Sequence, residues 1–266
     1  MPRITSYRHG VPAWVDVTSP DIPASAEFYA GMFGWVLGPD MGPDAGGYRL
    51  FTKDGVTVAG LGVQQEGVPP AWTTYVAVDD LDAVTARVDE LGGVLAVPPM
   101  DLPNDSGRIA FVVDPTGGFL GLFQAGPNHA GSGVANEPGS VVWNELSTRD
   151  PDAAMAFLDP LLGWSTQPMD DGGMGYRVIL VAGRAVGGVM PMGPGFPAEV
   201  PTHWMTYFAV ADAPHAADRA VALGGTVIVP PFETPVGTMS VLADPFGAPF
   251  AVGAMTAPDD PNAWPD

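Results

Sequence analysis

A chain of 266 residues, 46% hydrophobic and 15% charged, is long enough to bury one large or two ordinary cores. Its 30 acids against 10 bases give a net charge of −20, which opposes phosphate backbones and anionic lipid, and the lack of cysteine removes disulfides, zinc thiolates, iron–sulfur clusters and thiol nucleophiles together. No apolar run approaches a membrane span and the opening "MPRITSYRHG" has no apolar stretch after its charges, so a cytoplasmic protein with no nucleic-acid or membrane partner is expected.

The first predicted strand, "WVDVTS" from Trp14, alternates. Val15 and Val17 point one way, toward a core, while Trp14, Asp16 and Thr18 point the other way. "SPDIPASAEFYAGMFG" reads as a capped helix with Phe28, Tyr29, Met32 and Phe33 on one stripe and Gly34 as its stop. "GYRL", the turn "KDGVTV" and "VAGLGV" complete a β-α-β-β-β unit. A second unit opens at "WTTYVAV", where Thr73, Tyr75 and Ala77 oppose Thr74, Val76 and Val78. It continues through a predicted helix over "DDLDAVTARVDELGG", with Leu81, Val84, Val88 and Leu91 inward, and closes on "DPTGGFLGLF".

After the Gly/Asn/Pro-rich stretch "AGPNHAGSGVANEPG" the same sequence of elements begins again. "WNELSTRD" answers "WVDVTSPD", "LLGW" answers "MFGW", "GYRV" answers "GYRL", "WMTYFAV" answers "WTTYVAV", and "DPFGAPFAVG" answers "DPTGGFLGLF". Two duplicated modules follow, residues 8–126 and 140–255, with a linker at 127–139 and two β-α-β-β-β units in each.

The strand–Asp–"EFYAGMFGW" opening, "MAFLDPLLGW", "VVDPTGGFLGLF" and "LADPFGAPFAV" resemble the vicinal oxygen chelate superfamily of glyoxalase I, bleomycin-resistance proteins and extradiol dioxygenases. The tandem form is similar to two-module actinobacterial members that go under glyoxalase-like or hydroxylase names. The resemblance implies an α+β fold in which the four units form two curved mixed sheets with cleft faces. It does not choose a reaction.

In the metalloenzymes of that superfamily, first-strand ligands sit seven residues before the Asp that begins each helix, and last-strand ligands seven residues after the Asp of the "DP" turn. Here those positions are Trp14, Thr73, Trp143, Met205, Gly121 and Ala251. Indole, glycine and alanine offer a divalent ion nothing, so no metal or other cofactor is expected at the usual site.

The residues expected to face the clefts are Trp14, Asp16, Tyr75, Trp143, Glu145, Met205 and Tyr207: flat apolar surface with a few polar groups, as small-molecule pockets have. Trp14, Tyr75, Trp143, Met205 and Tyr207 are the candidate ligand-binding residues. Asp16 and Glu145 are the candidate catalytic groups, with a structural role, bonded to the backbone or paired to Arg49 and Arg177, set against general-base catalysis.

The function expected is binding of a small hydrophobic or aromatic molecule without the usual metal. The alternative is a metal-dependent glyoxalase I-like lyase, dioxygenase or hydroxylase in which Glu145 and His203 hold one displaced divalent ion. Metal-free acid–base catalysis is a third reading, and a scaffold whose modules bury their cleft faces against each other is a fourth. The partner expected is a small-molecule ligand, and the assembly either a monomer holding an internal pseudo-dimer or a homodimer.

Overall fold

The computed structural model describes residues 3–169 and 173–255. The first unit is β1 (Pro12–Ser19), α1 (Ile22–Phe33), β2 (Val36–Asp40), β3 (Arg49–Lys53) and β4 (Val56–Val63). The second is β5 (Trp72–Ala77), α2 (Leu81–Thr85), β6 (Val94–Asp101), β7 (Gly107–Val113) and β8 (Phe119–Ala125). β9 (Val141–Thr148), α3 (Pro151–Leu162), β10 (Ser165–Pro168), β11 (Arg177–Val181) and β12 (Arg184–Pro191) make the third. β13 (His203–Ala209), α4 (Ala213–Ala222), β14 (Thr226–Thr234), β15 (Gly237–Ala243) and β16 (Pro249–Met255) make the fourth.

Units one and two share an eight-stranded mixed sheet ordered β2-β3-β4-β1-β5-β8-β7-β6, and units three and four repeat it as β10-β11-β12-β9-β13-β16-β15-β14. The α+β class and the tandem modules stand as read from the sequence. At the centre of each sheet, the opening strands of its two units run antiparallel. Trp14 faces Tyr75 across β1 and β5, and Trp143 faces Tyr207 across β9 and β13.

Local chemistry explains the elements. The Asp21 side chain accepts the N–H of Ala24 at the start of α1, and Gly34 ends the helix with φ 73°, a left-handed conformation that costs glycine little. The β3–β4 and β11–β12 turns carry positive φ at Asp54–Gly55 and Ala182–Gly183, as two-residue hairpins need. α2 is shorter than predicted. The Thr85 hydroxyl donates to the carbonyls of Leu81 and Asp82, and Arg87 and Val88 bond three residues back instead of four, so the chain reaches Leu91 in tight turns. Leu81, Val84 and Val88 are buried all the same.

The modules meet back to back through their helix faces. One buried cluster joins α1 and α4 with strands of units one and four, including Phe28, Phe33, Trp35, Phe208 and Phe250. Another joins α2 and α3 with strands of units two and three, including Leu81, Val112, Phe157 and Leu161. Polar groups at the junction find partners: the Thr74 hydroxyl donates to Asn144 Oδ1 at 2.9 Å, and Trp35 and Trp164 donate their indole N–H groups to the carbonyls of Gly139 and Gly10. The arrangement expected under the scaffold reading, with cleft faces buried against each other, is therefore not the one formed. The apolar helix sides needed covering, and the cleft faces point outward.

Candidate functional site

A β-bulge at Ala13 places two residues of β1 against one of β5, and a matching bulge at Val142 does the same in β9. Such a bulge re-aims the next side chain, here Trp14 and Trp143, onto the cleft face. Trp14, Tyr75 and Phe123 form one buried group there, flanked by Leu50, Ile109 and Phe111. Met205, Tyr207 and Ala251 form its counterpart, flanked by Trp143, Met239 and Val241.

Each cleft is organised around a carboxylate held by phenols. In the first module the Trp14 indole N–H donates to the Tyr48 hydroxyl at 3.0 Å. That hydroxyl donates to Asp16 Oδ2 at 3.0 Å, and Tyr75 donates to the same oxygen at 2.9 Å. In the second, Trp143 donates to the Tyr176 hydroxyl at 2.7 Å, Tyr207 donates to Glu145 Oε1 at 2.9 Å, and Tyr176 also hydrogen-bonds Glu145. Both acids are 7% exposed. Burial pushes the Asp16 carboxyl up to about 6, while the bonds from Tyr75 and then Tyr48 pull it back. Burial raises Glu145 as well, against its bonds from Tyr207 and Tyr176. Tyr48, Tyr75 and Tyr207 are held well above the usual phenol range by burial and by the adjoining carboxylates, so they act as fixed neutral donors.

Three glycines make room for these phenols. Gly60 lies beside Asp16 in register and Gly188 beside Glu145. A Cβ at Gly60 would coincide with the Tyr48 hydroxyl, one at Gly188 with the Tyr176 hydroxyl, and one at Gly121 with the Tyr75 ring. The glycines of β4 and β12 thus leave space that the rings of Tyr48 and Tyr176 fill.

The structure brings Trp14, Asp16 and Tyr75 together in one cleft and Trp143, Glu145, Met205 and Tyr207 in the other. It corrects the expected partners of the carboxylates. Arg177 bridges Asp152 on α3 at 2.7 Å, and Arg49 Nε is enclosed without an acceptor. The tyrosine of each "GYR" phrase, not its arginine, reaches the acid. Tyr48 and Tyr176 escaped sequence reasoning although the repeat displayed them, because charge pairing drew attention to the neighbouring residue.

A metal does not fit the usual positions. They offer two indoles, a hydroxyl, a thioether, a glycine and a methyl group, and the nearest carboxylates already accept phenol protons. His203 lies opposite Ser147, two residues along β13 from the Met205–Glu145 pair, with Nδ1 2.9 Å from the Pro201 carbonyl oxygen. Among the described residues no group of three His, Asp or Glu side chains is arranged to hold an ion.

One further residue enters the first cleft from the linker. The His129 imidazole stands edge-on to Trp14, with ring centroids 4.5 Å apart, and 5.3 Å from Phe123. Burial lowers its pKa to about 4. The Tyr7 hydroxyl fastens the same segment by donating to the Ser132 carbonyl at 2.7 Å. A cavity of about 210 Å³ adjoins it, lined by Tyr7, Phe123 and Ala130 among others. No sequence signal separated His129 from an ordinary linker residue.

Comparison with known proteins agrees with this architecture. The model of the glyoxalase-like domain matches twice, at residues 14–122 and 141–253. "Putative glyoxylase CFP32" of Mycobacterium tuberculosis is 43% identical over 260 residues, spanning 95% of this chain and 97% of that protein. "Anthracycline biosynthesis protein DnrV" of Streptomyces peucetius is 39% identical over 266 residues, spanning 94% of each. Among solved structures, the Mn(II)-bound glyoxalase from Novosphingobium aromaticivorans superimposes with a TM-score of 0.64 at 18% identity, over 94% of this chain and 83% of that one. The 2,3-dioxygenase LapB from Pseudomonas sp. KL28 gives 0.63 at 16% identity, over 96% of each.

Proposed function

The chain belongs to the glyoxalase-like family of the vicinal oxygen chelate superfamily, and from that premise we propose that it binds a flat aromatic small molecule in its clefts without a metal at the superfamily's usual ligand positions. The observation that carries this reading is the replacement of the donor set. Indoles stand where imidazoles or carboxylates are needed, and a Tyr–carboxylate–Tyr cluster fills the centre of each cleft. Large aromatic and aliphatic walls around a few fixed polar groups suit a planar ligand with polar substituents. The name of the DnrV relative adds support, since anthracyclines are polycyclic aromatic compounds.

Titration of the intrinsic tryptophan fluorescence with a neutral planar probe, 1,8-dihydroxyanthraquinone, tests the proposal. Saturable quenching that survives EDTA is expected. A stoichiometric bound ion whose removal abolishes binding would instead favour the lyase or dioxygenase alternative, and no quenching across a panel of aromatic compounds would end the proposal.

A second reading rests on the ionisation of Asp16. A carboxyl with a pKa of about 6 sits close to neutral pH, where a general base works best, and no described group donates to its Oδ1. Metal-free proton transfer from a bound ligand to Asp16, or to Glu145 in the second cleft, would show as turnover lost in Asp16→Asn and Glu145→Gln with probe binding retained.

A further inference from the structure

We propose that the first cleft contains a ring subsite between Trp14 and Phe123, which the imidazole of His129 fills in the free protein and an aromatic ring of the ligand takes over on binding. The inference rests on the aromatic-ligand reading above and adds where one ring goes and what it displaces.

Several observations point to exchange. His129 meets Trp14 edge to face at 4.5 Å and Phe123 at 5.3 Å, distances at which aromatic pairs attract. Its imidazole makes no hydrogen bond to a described residue, so aromatic contact rather than a polar partner positions the ring, and its lowered pKa keeps it neutral there. The imidazole is only partly buried, and a larger ligand ring offers Trp14 the same edge-to-face contact while covering more apolar surface. The linker is fastened outside the cleft: Asn128 donates from its backbone N–H to the Asp105 carbonyl and from its side chain to the Asn104 carbonyl, and Ser132 donates to the Ala13 carbonyl. The imidazole is therefore free to swing out by side-chain rotation while the linker stays in place. The adjoining cavity of about 210 Å³ shares Phe123 with the subsite, which gives the rest of a fused-ring ligand a place to lie. Among the described residues the subsite belongs to the first module alone. Ala77 pairs in register with Phe123, whereas Ala209 pairs with Gly253, which has no ring.

The test uses the full chain and 1,8-dihydroxyanthraquinone, with binding read from tryptophan quenching and the subsite from the His129 ring signals in NMR. In the free protein those signals are expected to be displaced by the Trp14 ring current, and saturation with the probe should return them toward free-histidine values. His129→Ala should tighten probe binding about tenfold by removing the competitor, and His129→Phe should weaken it by a similar factor. Quenching at saturation with unmoved His129 signals would overturn the subsite while leaving the aromatic-ligand reading intact. So would both variants staying within about twofold of the parent. No binding to the parent or either variant would instead defeat the aromatic-ligand reading, and the subsite with it.

Discussion

Replacing Asp16 by asparagine isolates the cost of keeping a charge under the cleft floor. The folded protein holds the Asp16 proton to about pH 6, against 3.8 for an ordinary aspartate, mainly because burial disfavours the anion. The folded state therefore binds this proton more tightly than the unfolded chain does. The contribution to stability is fully present below about pH 4, falls as pH rises toward 6, and is absent above. A shift of roughly two units corresponds to about 3 kcal/mol. Asparagine retains a carbonyl oxygen for the Tyr48 and Tyr75 hydroxyls but does not titrate, so the variant lacks this loss.

The assay is chemical denaturation of both proteins at several pH values from 3.5 to 7.5, a range set by that linkage. Glu145, Asp159 and Asp244 are also raised, and exposed Asp82 is lowered by Arg108, but these contributions are common to both proteins and cancel in the difference. The stability of Asp16→Asn relative to the parent is expected to climb by about 3 kcal/mol between pH 4 and pH 7. A difference that stays flat across that range would refute the claim that Asp16 is a desolvated carboxylate. A difference of the opposite sign would mean that the phenols overcome its burial.

Four other substitutions probe the same structure. Gly60→Ala and Gly188→Ala drive a methyl group into the Tyr48 or Tyr176 hydroxyl and should each cost at least about 2 kcal/mol in denaturant unfolding. Tyr75→Phe removes the 2.9 Å bond to Oδ2, so the Asp16 carboxyl should titrate higher still when followed by NMR of its side-chain carbon. Gly93→Ala places a methyl group against the buried Phe157 ring of the opposite module and should lower the melting temperature without changing the Asp16 titration.

Much of this was legible in the sequence because duplication prints the pattern twice. The parity of "WVDVTS" placed Trp14 and Asp16 on the face opposite Val15 and Val17, and the structure keeps that division. The fate of the carboxylates was harder to read. Parity along "GYRL" says that Tyr48 and Arg49 face opposite ways, but not which faces the acid, because β3 meets β1 only across β4. The meaning of Gly60 was hidden for a related reason: a missing side chain marks space, and only the fold shows what fills it. The junction between the modules lay further out of reach. Parity places Thr74 on the core side of its strand but says nothing of its partners, Asn144 and Thr206, which it hydrogen-bonds where the two sheets meet.

The duplication also separates what the two clefts share from what they do not. Both keep the same polar relay, from an indole N–H through a phenol to a carboxylate that a second phenol also holds, although one acid is a methylene longer than the other. The walls differ: Ile109, Phe111 and Phe123 occupy places that Met239, Val241 and Gly253 hold in the second module. If the carboxylates served only to knit the sheet, a neutral amide would accept the same hydrogen bonds without the desolvation that raises both acids. Under the ligand-binding proposal, a charge present in both clefts at the expense of stability, beneath walls that differ, is the arrangement expected of a common polar centre meeting ligands of different shape.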